Sequence, residues 1–180
     1  MKKVVVFFAD GTEEVEAITP VDMLRRAGAN VTLAGVGKKE CVGSHDVKIL
    51  TDKTVSECTT EDFDMVVLPG GMPGTLNLEK DKNVQEIVKK AYDEGKFIAA
   101  ICAAPSVLGK MGLLAGKRAT CYPGFEKYLE GAAITDEMVV RDGSVITSCG
   151  AGPAMDFALM LVSCIYGEEK SEEIRKAVFA

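Results

Sequence analysis

The segment Lys96-Phe97-Ile98-Ala99-Ala100-Ile101-Cys102-Ala103-Ala104-Pro105 carries the most chemistry in this chain of 180 residues. An apolar, strand-like run stops at one cysteine. Two alanines, small enough for a sharp turn, follow it, and then Pro105, a residue suited to the first turn of a helix. A thiol at such a strand-to-helix corner faces free backbone N–H groups and the positive end of a helix dipole. Its pKa is therefore expected to fall from about 8.5 to roughly 3.5–7.5, leaving it mostly thiolate at neutral pH. The plain alternative is a buried free cysteine acting as a small hydrophobe.

A carboxyl and a glycine turn are the second and third parts of the candidate site. Glu13, Glu14 and Glu16 follow the first apolar run, where the helix dipole alone accounts for Glu13 and Glu14. Glu16 stands four residues before Pro20, which has no N–H to give to the Glu16 carbonyl. A kink or interruption is expected there, aiming the carboxyl at the strand ends. A protonated Glu16 beside Cys102 would donate a hydrogen bond to the thiolate, its own pKa raised by burial and by the adjacent charge. Leu68-Pro69-Gly70-Gly71 closes another apolar run. Its consecutive glycines allow main-chain N–H groups to approach a ligand and hold an oxyanion, although a Gly-Gly alone is also an ordinary tight turn.

These segments need a scaffold that gathers them. Lys3–Ala9, Val31–Ala34, Met65–Leu68 and Phe97–Ile101 read as strands, and Glu13–Ala27, Val84–Glu94 and Ala104–Met111 as helices. That alternation predicts an α/β fold with a mostly parallel, doubly wound sheet. Cys41–Leu50 and Met138–Thr147 are expected as antiparallel or edge additions to it, the second turning at Arg141-Asp142-Gly143-Ser144. Ala154–Ile165 reads as an apolar helix and Glu168–Ala177 as a solvated amphipathic cover. In open α/β sheets, ligands bind outside the carboxyl ends of the parallel strands. Asp10–Glu16, Pro69–Gly74 and Cys102 all follow strands, so all three fall on that edge.

Composition removes several function classes. The length suits one domain spanning 1–180. A net charge of −6 and no basic stripe argue against nucleic acid or an anionic membrane as partner. The apolar run after Met1-Lys2-Lys3 is too short for a signal peptide or a membrane span, which predicts a cytoplasmic protein. Six cysteines contain no CxxC pair, so neither a disulfide framework nor a zinc site is expected, and no metal is assigned. No phosphate loop or dinucleotide fingerprint occurs; Gly35-Val36-Gly37 lacks the third glycine. His45 is the only histidine, which leaves a glutamine amidotransferase without its downstream histidine and weakens a cysteine peptidase.

Ala9-Asp10-Gly11-Thr12-Glu13-Glu14-Val15-Glu16, Pro20-Val21-Asp22, Val67-Leu68-Pro69-Gly70-Gly71, Ile98–Pro105 and Thr147-Ser148 with Gly150 and Gly152 together resemble the ThiJ/PfpI superfamily, in the branch that contains the parkinsonism-associated protein deglycase. The resemblance implies a flavodoxin-like three-layer sandwich and a homodimer. It implies Cys102 as a reactive, oxidisable cysteine, Glu16 as its protonated partner, and Gly70, Gly71 and Ala103 amides lining the pocket. It also implies cofactor-independent activity of glyoxalase or deglycase type on a small carbonyl such as methylglyoxal, or a redox-sensing chaperone role in oxidative stress without turnover. Where the branch commonly has a histidine before a proline, this chain reads Thr120-Cys121-Tyr122-Pro123. Tyr122, a phenol with a reference pKa near 10, is a poor proton shuttle at neutral pH, which leaves proton transfer to Glu16. His45 aligns with a position that tends to carry arginine near the dimer interface, and reads otherwise as a surface histidine. Cys121 is a candidate resolving thiol after oxidation of Cys102, or a small apolar strand residue.

Overall fold

The first strand sets the pattern for the whole molecule. In a computed structural model that describes residues 1–59 and 63–180, β1 (Lys3–Phe8) is buried along almost its entire length. Alternate side chains of such a strand must enter opposite layers. Val4, Val6 and Phe8 pack into one apolar cluster, and Val5, Phe7 and Ala9 into another on the other face. An all-apolar run with no polar face therefore requires helices on both sides.

Around β1 the chain builds a seven-stranded sheet. Its strands are β2 (Asn30–Gly35), β5 (Lys53–Thr54), β6 (Met65–Leu68), β7 (Phe97–Ile101), β10 (Val139–Asp142) and β11 (Val145–Ser148), in the order β10-β11-β7-β6-β1-β2-β5. All neighbours pair parallel except β10 with β11. The segment expected as a marginal hairpin thus also supplies the fifth long parallel strand, because Val145–Ser148 runs beside Ile98–Ile101. Helices α1 (Glu14–Arg26), α5 (Ala154–Tyr166) and α6 (Glu168–Ala177) cover one face through Ala17, Leu24, Phe157, Leu161 and Ile174. Helices α2 (Gly74–Lys80), α3 (Lys82–Asp93) and α4 (Pro105–Lys110) cover the other, with Leu78, Val84, Val88 and Leu108. This is a three-layer α/β sandwich.

Three expectations change. Cys41–Leu50 does not extend the sheet: β3 (Glu40–Val42) and β4 (Lys48–Leu50) pair antiparallel with each other as a separate hairpin. The hairpin is instead tied to the end of β1, where the Val42 N–H donates to Asp10 Oδ1 at 2.9 Å and the Gly11 N–H to the Val42 carbonyl at 2.8 Å. Pro20 does not interrupt α1, which runs unbroken from Glu14 to Arg26; only the one hydrogen bond that a proline cannot donate is lost. The third helix starts at Lys82, earlier than expected, because the Asp81 side chain accepts from the Val84 N–H at 3.0 Å and caps it.

Phe157 of α5 is fully buried in the core on the α1, α5 and α6 face of the sheet, so its truncation leaves a cavity that rigid neighbours cannot close. Phe157→Ala is expected to cost about 3–5 kcal/mol in urea unfolding with an unchanged slope, and Phe157→Leu clearly less. Equal losses from the two would show that the layer repacks freely.

Candidate active site

Cys102 follows β7 with φ +64°, a left-handed conformation that costs a residue with a side chain about 1–2 kcal/mol. Neighbouring segments hold it there. Its N–H donates to the Ser148 carbonyl and its carbonyl accepts from the Tyr122 N–H, both at 2.8 Å. The Ala104 N–H closes the turn on the Ile101 carbonyl at 3.1 Å, and α4 begins at Pro105. The chain thereby passes from strand to helix between Ile101 and Pro105, and the thiol stands half-buried at the carboxyl edge of the sheet.

Glu16 reaches this corner from the first turn of α1, a position that its place in the helix explains without any break at Pro20. It is 1% exposed, hydrogen-bonds the Cys102 thiol, and accepts the Gly70 N–H on Oε2 at 2.9 Å. The Gly70 carbonyl in turn accepts the Glu13 N–H at 3.0 Å, so α1 grips the Gly70 peptide from both sides. A Cβ on Gly70 would lie 2.7 Å from both Cys102 Cβ and Glu16 Oε2, and Gly71 sits at φ +87°. Both positions demand glycine, one for space and one for conformation. The Gly71 and Ala103 N–H groups donate to the thiol.

The electrostatics differ from a dipole-lowered thiolate. Burial raises Glu16 to about 7; its hydrogen bonds from Cys102 and Gly70 oppose that, and the Glu13 charge adds to it. With Glu16 ionised, burial first, then the Glu16 charge and hydrogen bond, push Cys102 up to about 12, against the Ala103 and Gly71 N–H groups. The expected fall fails because burial and one facing carboxylate outweigh two amides and a six-residue helix. When Glu16 holds the proton, the same contact changes sign and stabilises a thiolate. Between about 7 and about 12 the pair holds one proton, and Cys102 and Glu16 titrate as a coupled pair.

The remaining candidates lie around this pair. Tyr122 offers Cys102 its backbone N–H, while its half-exposed ring packs edge-on to Phe125 at 6.4 Å between centroids and beside Gly150. Cys121 is buried in the cluster on the α3 and α4 face, where burial, then Glu126 and Cys149, push its thiol up to about 12; it is not the exposed thiol a resolving role suggests. His45 is exposed on the β3–β4 hairpin, with Nδ1 3.1 Å from Glu14 Oε2 and 3.2 Å from Glu13 Oε2. The Glu14 hydrogen bond, followed by the Glu13 charge, raises the His45 pKa. Glu13, Glu14 and His45 bring three donor atoms within 4.8 Å of one another. Ser44 Oγ and the His45 and Val47 N–H groups already engage the two carboxylates, so these contacts account for the cluster without an ion. The hairpin contacts and the two backbone hydrogen bonds that pin Cys102 are invisible in the sequence, since they join residues about 20 or more positions apart; only Thr147-Ser148 in the family pattern hints at them.

A shared proton has a kinetic signature. The alkylation rate of Cys102 is expected to rise with pH through a midpoint near 7, where the first proton leaves the pair, hold a plateau, and rise again only toward about 12. Glu16→Gln removes the titrating partner and should leave one midpoint below about 12. A profile unchanged by Glu16→Gln would show that the two groups are uncoupled.

Comparison with known proteins agrees with this fold. The chain is 41% identical over 180 residues to protein dj-1beta of Drosophila melanogaster, covering 98% of this chain and 96% of that one. The crystal structure of Drosophila DJ-1beta superposes with a TM-score of 0.95 over 99% of this chain and 98% of that chain. Protein DJ-1 homolog B of Arabidopsis thaliana is 43% identical over 96% of this chain, which spans only 40% of that longer protein. A Caenorhabditis elegans relative described as glutathione-independent glyoxalase DJR-1.2 is 35% identical, covering 93% of this chain and 90% of its own. With residues 2–164 matching the family pattern as well, the chain belongs to the DJ-1/PfpI family.

Proposed function

We propose that the protein is a cofactor-independent, cysteine-dependent enzyme acting on small reactive carbonyls, with glyoxalase or deglycase chemistry. The observation that carries this reading is the buried Glu16 carboxyl set against the Cys102 thiol at the Gly70–Gly71 turn, with the Gly71 and Ala103 N–H groups facing the sulfur. The glyoxalase description of the C. elegans relative supports it. In the proposed reaction the Cys102 thiolate adds to the aldehyde carbon of methylglyoxal, and the new oxyanion takes a proton to give a hemithioacetal. Glu16 as carboxylate removes the proton from that carbon and returns it to the adjacent one, giving a thioester of lactate. Water then cleaves the C–S bond, releasing lactate and the thiol. With Tyr122 in place of an imidazole, Glu16 carries the proton in both directions.

Incubation with methylglyoxal is expected to yield lactate without added glutathione. Cys102→Ala should abolish it and Glu16→Ala lower kcat/KM by roughly 10²–10⁴. Turnover that survives in Cys102→Ala would remove the covalent role. A redox sensor would use the same N–H groups for a sulfinate and give no lactate at all, so the assay separates the two readings.

The working unit is proposed to be a homodimer of single 1–180 domains. Val15 and Ile18 on α1 and Val47 and Leu50 on the adjoining hairpin are exposed apolar side chains, surface that such a dimer would cover. The six cysteines are all free, as suits a reducing compartment such as the cytoplasm. Sedimentation is expected to give twice the 19.2 kDa chain mass, with Leu50→Glu shifted toward one chain. A monomeric wild type would overturn the dimer.

A further inference from the structure

We propose that Glu13 sorts substrates by charge at this site, admitting neutral 2-oxoaldehydes and turning away carbonyls that carry a carboxylate or phosphate. This selection deepens the carbonyl reading above, on which it rests. Glu13 is the N-cap of α1 and stands three positions before Glu16, a spacing that leaves side chains on one side of a helix with about 5–6 Å between their Cβ atoms. Both residues grip the same glycine. The Glu13 N–H donates to the Gly70 carbonyl at 3.0 Å, while Glu16 Oε2 accepts the Gly70 N–H at 2.9 Å. A Cβ on Gly71 would lie 2.3 Å from the Glu13 nitrogen, and one on Gly70 2.7 Å from Cys102 Cβ. Glu13 is therefore packed against the turn that separates it from the sulfur by a single layer of glycine backbone.

Its charge is held in place and is not balanced. Glu13 Oε2 accepts the Ser44 hydroxyl at 3.0 Å and lies 3.2 Å from His45 Nδ1. The Glu13 side chain is only 18% exposed, so solvent and salt screen it less than a surface carboxylate. His45 is shared with Glu14 at 3.1 Å; even protonated, it leaves the three side chains with a net negative charge. Among the described residues no lysine or arginine forms an ion pair with Glu13, Glu14 or Glu16. The Glu13 charge also raises the Glu16 pKa, so its field reaches the reacting pair. In the reactive form Glu16 holds the proton and Cys102 the negative charge, which makes Glu13 the further anion that an incoming group meets. A methyl or aryl substituent on the carbonyl is indifferent to it, whereas a carboxylate or phosphate is repelled.

Two reagents of nearly equal size isolate the charge effect. Iodoacetamide and iodoacetate compete for Cys102 in the full chain, the sulfur displacing iodide from either, and the thiolate fraction cancels in the product ratio. The tryptic peptide 97–110 holds Cys102 and no other cysteine, so its mass reads that ratio directly. Relative to free cysteine in the same buffer, the wild type is expected to favour the amide by roughly ten- to a hundredfold at low salt. The preference should shrink toward the free-cysteine value at about 1 M salt, where the Debye length is about 3 Å. Glu13→Gln should lose most of it and Glu13→Asp keep it, and the salt series needs no variant at all. Phenylglyoxal and its para-carboxy derivative should differ in the same direction in kcat/KM. Absence of turnover with both would overturn the carbonyl enzyme, while the labelling ratio still decides the role of Glu13. A wild-type ratio equal to that of free cysteine, or a preference for the amide that survives either high salt or Glu13→Gln, would overturn the charge selection.

Discussion

A peptide unit bent the wrong way governs this molecule. Cys102 at φ +64° is costly by itself, and it persists because Ser148 and Tyr122 take up both of its backbone groups. Those two residues arrive on segments that exist only when β11 lies beside β7 and the 118–122 segment follows the hairpin. Sheet order therefore decides sulfur orientation. A local turn motif would need no such partners; here the strain is carried by pairing far along the chain.

The second constraint is space. Gly70 has no room for even a methyl group between Cys102 and Glu16, and the same absence lets the Gly70 N–H reach the Glu16 carboxylate. A buried carboxyl with one amide donor and one thiol neighbour is poorly compensated as an anion, which is why its proton is held to about 7. Glu14 sits on the same helix turn with the opposite fate. Burial works against the Glu14 anion as well, but the His45 and Val47 contacts hold its pKa below the usual carboxylate range. Two acidic side chains two residues apart are thus separated in behaviour by what faces them.

Much of this was legible before any coordinates. The β-branched runs marked the long strands, because strands buried on both faces can tolerate no polar alternation. Cys102 stood out because an apolar run ended on it. Gly70 and Gly71 stood out because consecutive glycines after a strand signal close approach. What escaped detection was long-range. Gly74–Lys80 is helical without a periodic apolar pattern, the β3–β4 hairpin docks on α1 rather than on the sheet, and Pro20 is simply absorbed into its helix. The sign of the thiol shift was misread for a related reason: a dipole is visible in local sequence, whereas burial and a facing charge are properties of the assembled fold.

The span between the gathered groups has one more consequence. Glu16 and Gly70 are 54 residues apart, and Cys102 is more distant still from α1 along the chain. On a ribosome, or in any form lacking the later strands, the sulfur has neither its carboxyl neighbour nor its amide donors and behaves as an ordinary thiol near pKa 8.5. The coupling of the two groups switches on only with completion of the native sheet, so during synthesis the newborn polypeptide carries a sulfur that titrates on its own.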